Sequence, residues 1–359
     1  MTVSTLDVDR SISTLRLNSQ EFANLTNEEL SAMFLTSIEN IKTIAYFWAT
    51  IGADNKGIKG STAEGEEWLG GPFASTIALQ YYIDYLKNDI DFIDEKSISE
   101  NKINVFPNKN IEKLLFPYVT ADIHFNKNMS IEDILNARGF GNRLGFEKGI
   151  TLILGAGNVS SIPLLDTIYD MVVNRHCILL KLNPVNEYLK PVFEKVFENF
   201  ISRGFMIVTT GDTEISSYMT NHLGITNMHI TGSDKTYEKI VYGTVLAEKD
   251  KGKKTLTKRN KKPFTTELGN VTPFIIHPGN WSSGEIKYQA RKIVTAKLNN
   301  NGFNCIAAQV IVVPKGWKHS EKLVEAIKKQ LSNEKDRLAY YPDSLNNLNN
   351  LLSEKNVQQ

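Results

Sequence analysis

An α/β fold, with a parallel sheet covered by helices on both faces and a helical region ahead of it, is what this 359-residue chain predicts. Two observations carry the prediction. From residue 149 onwards short apolar runs at 150–154, 177–182, 205–208 and 228–230 alternate with stretches of helical spacing. Those runs are apolar at all but single positions (Thr151, Lys181, His229) rather than at alternate ones, the mark of strands buried on both faces in a parallel sheet. Sheets of this doubly wound kind bind nucleotides at the carboxyl ends of their strands.

Taken in order, residues 1–100 read as mainly helical. Asn27 is placed to cap a helix opening at Glu28, with Leu30, Met33, Phe34, Ile38 and Ile41 at helical spacing. Trp68 to Pro72 breaks that rhythm and 74–86 resumes it. Residues 100–148 are mixed and polar, with Gly139, Gly141 and Gly145 marking a loop-rich approach to the sheet. Helices are expected over 162–174, 185–202, 214–222 and from Ser233 to about Tyr242. The densest basic stretch, 251–262, reads as a solvated loop. A strand over 273–277, a helix over 284–298 and a buried β-branched strand over 309–313 follow. Helices over 320–331 and 345–352 and a polar, fraying end close the chain. The expected domains are a helical region over 1–125, a nucleotide-binding domain over 126–264 and a catalytic segment over 265–359.

Composition excludes several classes. A net charge of +1 leaves no field for unspecific binding to nucleic acid or anionic membranes. Two cysteines, Cys177 and Cys305, cannot build a disulfide framework, which points to a reducing compartment. The first residues lack a basic end followed by an apolar core, and no apolar run approaches the roughly 20 residues that span a bilayer. A cytoplasmic location is expected. The histidines show no metal-ligand spacing, so no metal is expected.

Few side chains suggest chemistry on their own. Gly155-x-Gly157 follows a strand and precedes a helix, but Ser160 stands where a third small residue belongs. The next strand ends at Lys181 rather than an acid, so the dinucleotide fingerprint is rejected. Thr231-Gly232-Ser233 is the better phosphate candidate, since it follows a strand and opens a helix; ordinary helix capping explains the same residues equally well. Lys181, at a strand's carboxyl end, could reach a ribose or could be an exposed lysine. Glu267 lies 38 residues before Cys305 and could activate water, or could be a surface glutamate entering a turn. Cys305 sits between the Gly302 turn and an apolar strand, where a nucleophile could be held; taken alone, a small buried cysteine is the commoner case.

In order along the chain, Asn158, Lys181, Thr231-Gly232-Ser233, Glu267-Leu268-Gly269 and Gly302-x-x-Cys305 resemble the aldehyde dehydrogenase superfamily, over roughly 150–315. The resemblance implies a Rossmann-like domain binding NAD or NADP and reverses the reading of Cys305. That thiol would attack an aldehyde carbon, with Asn158 and the Cys305 N–H stabilising the oxyanion and Glu267 activating the water that releases the acid. Lys181 would contact the adenine-side ribose, the helix at Ser233 would face the pyrophosphate, and Leu268 would hold the nicotinamide through its backbone.

The implied substrate is a small-molecule aldehyde, with no nucleic-acid or membrane partner and with room for a homo-oligomer. Asn270 and Tyr237 stand where the family commonly has glycine. Only 54 residues follow Cys305, so a divergent member with an incomplete catalytic domain is expected. Two alternatives stay open. One is an acyl-CoA reductase of the same superfamily, disfavoured by Glu267; the other is a truncated, non-catalytic nucleotide-binding scaffold.

Overall fold

The computed structural model describes residues 3–87, 98–99, 101–107, 109–126, 129–130, 133, 147–251 and 256–353. The loop marked by Gly139, Gly141 and Gly145 lies outside them.

The chain opens with helices α1 (Thr5–Ala23) and α2 (Asn27–Asn55). Each starts on a capping box, Ser4 with Asp7 and Thr26 with Glu29, in which side chain and backbone satisfy each other's free N–H groups. Thr26 therefore caps α2 in place of the expected Asn27. Leu30, Met33, Phe34, Ile38 and Ile41 all face inwards. The break at Trp68–Pro72 is a wide π-turn over Leu69–Phe73 leading directly into α3 (Ala74–Leu86). Gly71 is required there, because a Cβ would stand 2.8 Å from Ser160 Oγ and 3.1 Å from Trp48 Nε1. A small antiparallel sheet follows, from β1 (Ile98–Ser99), β2 (Lys102–Phe106) and β3 (Ala121–His124).

The central sheet contains the four expected strands and one more, over 264–268, where no strand was expected. Its strands are β4 (Ile150–Leu154), β5 (Cys177–Lys181), β6 (Met206–Thr209), β7 (Asn227–Gly232) and β8 (Phe264–Leu268). They pair in the order β6-β5-β4-β7-β8, all parallel. Every residue of β4 and β5 is buried, as their largely apolar sequence favours, with Thr151 and Lys181 buried among them. The chain leaves β4 first towards β5 and β6, then returns to its other side for β7 and β8. That reversal leaves a crevice at the carboxyl ends, where such sheets receive ligands.

Helices α4 (Ile162–Val173), α6 (Thr213–Asn221) and α7 (Asp234–Tyr242) lie close to their expected bounds. The expected single helix over 185–202 is instead a 3-10 segment Pro184–Leu189, α5 (Lys190–Val196) and a short turn Glu198–Ser202. Pro184 and Pro191 each remove a backbone donor, which limits them to first-turn positions. The N-terminal helices share one continuous core with the sheet: Phe22, Phe34 and Trp48 pack with Phe193, Phe200 and Phe205.

A second core lies beyond the sheet. It joins β9 (Thr272–Ile275), α8 (Ser283–Leu298), β10 (Ala308–Val312) and α9 (Ser320–Leu331), centred on Ile286, Ala290, Ile293 and Leu323. The strand expected to be buried at 309–313 is present but half open. β10 pairs only with β9, and Val310 and Val312 remain 44% and 47% exposed because α8 and α9 cover a single face. α10 (Ser344–Leu352) ends the described chain.

The basic stretch also differs from a freely solvated loop. Lys251 makes ion pairs with Asp234, Glu238 and Glu248, and Lys262 donates to the Thr220 and His222 carbonyls. Both ends are tied down by groups distant in sequence.

Candidate active site

A cavity of about 410 Å³ opens at the carboxyl ends of β4, β5 and β7. Gly155, Lys181, Asp212, Thr231, Ser233 and Lys239 line it. Lys181 is only 6% exposed; burial pushes its pKa down, against the pull of Glu187 and Asp212. An ammonium stripped of water in this way gains from a ligand oxygen. Ser233 caps α7 by accepting from the Lys235 N–H at 3.2 Å, and the helix presents its positive end to the cavity. Thr231 Oγ1 donates to Asp166 at 2.9 Å. Volume, buried cation and helix terminus together suit a phosphate-bearing nucleotide.

The second group of residues surrounds Cys305. Asn158, in the turn after β4, donates its side-chain amide to the Phe303 carbonyl at 3.0 Å. The approach to Cys305 is contorted: Asn300, Asn301 and Gly302 all have positive φ, at 52°, 54° and 83°. Gly302 alone was the expected source of that geometry. Asparagine tolerates the left-handed region better than most residues, and here two of them share it.

The Cys305 thiol is exposed, 3.6 Å from Asn304 Oδ1. Thr272 Oγ1 stands 3.1 Å from the Cys305 carbonyl and 2.5 Å from Asn270 Oδ1. The segment that follows Glu267 is thereby tied to the cysteine loop. Glu267 itself is exposed on β8, opposite Thr231, and Leu268 is opposite Gly232. The residues expected to act thus fall into two groups. Lys181, Thr231, Gly232 and Ser233 border the cavity, while Asn158 meets the Cys305 loop. Glu267 and Leu268 lie on the strand between them.

No motif or spacing pointed to the groups that hold this arrangement. Lys56 Nζ donates to the Asn158 carbonyl and Asn300 Oδ1, each at 2.8 Å. Glu66 accepts from the Asn300 N–H at 2.6 Å, and Tyr340 and Tyr341 stack on Phe303 with ring centroids 4.9 and 5.0 Å away. These partners are 102 to 244 residues apart along the chain or stand beyond the expected motifs, so no periodicity or spacing announces them. Among the described residues no group of three or more His, Cys, Asp or Glu could hold a metal ion.

Residues 176–338 match the model of the aldehyde dehydrogenase family. The D-glyceraldehyde dehydrogenase (NADP(+)) of Picrophilus torridus is 27% identical over 121 residues, 33% of this chain and 21% of that protein. Among solved structures, the aldehyde dehydrogenase KauB of Pseudomonas aeruginosa superposes with a TM-score of 0.66 at 11% identity, covering 98% of this chain and 62% of KauB. The enzyme of Bartonella henselae gives 0.65 at 13% identity, covering 98% and 63%. The chain therefore spans less than two thirds of the length of these relatives. The fold is aldehyde dehydrogenase-like, and the segment 176–338 is similar to the aldehyde dehydrogenase family.

Proposed function

We propose that the chain oxidises a small-molecule aldehyde to a carboxylic acid with NAD or NADP, through a covalent intermediate on Cys305. The observation that carries this reading is the Asn158 amide held against the Phe303 carbonyl, two residues before an exposed thiol. One amide hydrogen is spent on that contact and the other is free for an oxyanion.

The Cys305 thiolate attacks the carbonyl carbon, and the negative charge that forms on oxygen is met by Asn158 and the Cys305 N–H. When bound, the nicotinamide supplies the acceptor for the hydride. Collapse of the thiohemiacetal leaves a thioester on Cys305. Glu267 takes a proton from water as it attacks that thioester, releasing the acid and restoring the thiol. Lys181 binds the adenine-side ribose and Ser233 with Gly232 and Thr231 faces the pyrophosphate. Leu268 steadies the nicotinamide from β8. No carboxylate ends β5, which supports acceptance of NADP, the cofactor in the name of the Picrophilus relative. Among the described residues no helix is long and apolar enough to cross a membrane, which supports action in the cytoplasm.

Titration of NAD and NADP against the purified chain by fluorescence tests the cofactor half of this reading. Saturable binding retained in Cys305→Ala, with turnover lost, is the expected result; absence of binding to folded chain contradicts it.

A further inference from the structure

The ammonium of Lys56 is 2% exposed, at the end of α2, and has no place in the reaction just described. Each of its three hydrogens has a partner: Glu67 Oε1 at 2.7 Å, the Asn158 carbonyl at 2.8 Å and Asn300 Oδ1 at 2.8 Å. Asn300 returns the contact, its own amide donating to the same Asn158 carbonyl at 3.0 Å. Its backbone N–H is held by Glu66 at 2.6 Å, and Asn301 donates to the Lys56 carbonyl at 2.9 Å. Tyr340 OH closes the group, 3.1 Å from Asn300 Oδ1, with its ring 5.5 Å from Nζ.

Stability alone is a poor explanation of this cluster. Burying an ammonium and a carboxylate carries a solvation penalty, and apolar residues of similar size often serve a core as well or better. What an apolar pair cannot do is hold a carbonyl and an amide at fixed positions. Lys56 does this at two places at once: the backbone of Asn158 and the side chain of Asn300, five residues before Cys305. Two successive residues in the left-handed region, Asn300 and Asn301, are uncommon even for asparagine, and such geometry persists where the surroundings hold it. The cluster is what imposes it.

We infer that Lys56, with Glu67 and Asn300, is a positioning group that fixes the Asn158 turn and the Cys305 loop relative to each other, setting the oxyanion donor against the nucleophile. The catalytic consequence rests on the function proposed above; the mechanical one does not. Lys56→Met alone leaves the Glu67 carboxylate buried and unpaired, which can unfold the chain. The decisive variant is therefore Lys56→Met combined with Glu67→Met, read beside the wild type.

The double variant is expected to stay folded and to bind NAD or NADP as the wild type does. Its kcat falls on the order of 10²-fold with KM little changed, because ground-state binding is untouched while the reacting groups drift. Hydrogen exchange of the amides from Asn300 to Cys305 quickens about tenfold or more, while β4 and β5 keep their protection. A folded double variant with wild-type exchange over that loop overturns the inference. Should the wild type turn over no aldehyde, the proposed function fails, and the exchange result alone decides whether Lys56 positions the loop.

Discussion

Asn158 and Phe303, 145 residues apart in sequence, are joined by a 3.0 Å hydrogen bond from the asparagine amide to the phenylalanine carbonyl. This contact ties the turn that ends β4 to the loop that carries Cys305, and so links the central sheet to the proposed nucleophile. A turn after a buried strand is well placed for the purpose, since the strand fixes where its first residues stand.

Asn158→Ala removes both that tie and the proposed oxyanion donor. The expected result is a fall in kcat of about 10²–10³-fold, the usual cost of losing one such donor, with cofactor affinity unchanged. Single-turnover measurement of hydride transfer checks it. A variant with normal acylation would remove Asn158 from the reaction.

The two cysteines should differ sharply in reactivity. Cys305 is exposed, whereas Cys177 is fully buried on β5 and burial pushes its thiol up to about 12. The thiolate is the reactive form, so iodoacetamide is expected to label Cys305 in the native chain and spare Cys177 from neutral pH up to that value. Peptide mapping after labelling reads this directly. Labelling of Cys177 in folded protein would contradict the burial.

Lys181→Met should weaken cofactor binding yet stabilise the free chain. In the fold the Lys181 pKa lies below its ordinary value, chiefly through burial. Below the folded pKa the charge is buried at a cost; as pH rises from there to the ordinary lysine value that cost disappears, because the native group is neutral before the unfolded one. The variant's Tm is therefore expected to exceed that of the wild type by roughly 2 °C or more at neutral pH, with the difference shrinking as pH rises. Calorimetry across pH, without cofactor, makes the test. A lowered Tm at neutral pH would mean that Lys181 stabilises the empty fold.

Gly71→Ala should strain the floor beneath the Asn158 turn. The new methyl would stand 2.8 Å from Ser160 Oγ and 3.1 Å from Trp48 Nε1, and the Ser161 N–H is bonded to the neighbouring Gly70 carbonyl. Overpacking of this kind costs about 1–3 kcal/mol, which a shift in the denaturation midpoint would show. An unchanged midpoint would mean that the turn yields freely.

The sheet was legible because its signal is local. Strands such as Ile150–Leu154 and Cys177–Lys181 are apolar at all but one position each, Thr151 and Lys181, as burial on both faces favours. Order along the chain also lets Asn158, Lys181, Ser233, Glu267 and Cys305 be proposed as a set. The supports of the site were not legible. Lys56, Glu66 and Tyr340 belong to none of the sequence motifs; only the fold brings them onto Asn300, and nothing in the neighbourhood of Lys56 in sequence records that it is buried. The openness of β10 was hidden for a related reason: β-branched content shows that a strand forms, not how many faces are covered.

The most direct test is the intact mass of Glu267→Gln after mixing with an aldehyde and NAD or NADP. Water attack on the thioester is then slowed, so an acyl group is expected to accumulate, located on Cys305 by peptide mapping and absent from the same chain carrying Cys305→Ala. An adduct that survives Cys305→Ala, or no adduct in either Glu267→Gln or rapidly quenched wild type despite bound cofactor, would contradict covalent aldehyde oxidation at Cys305.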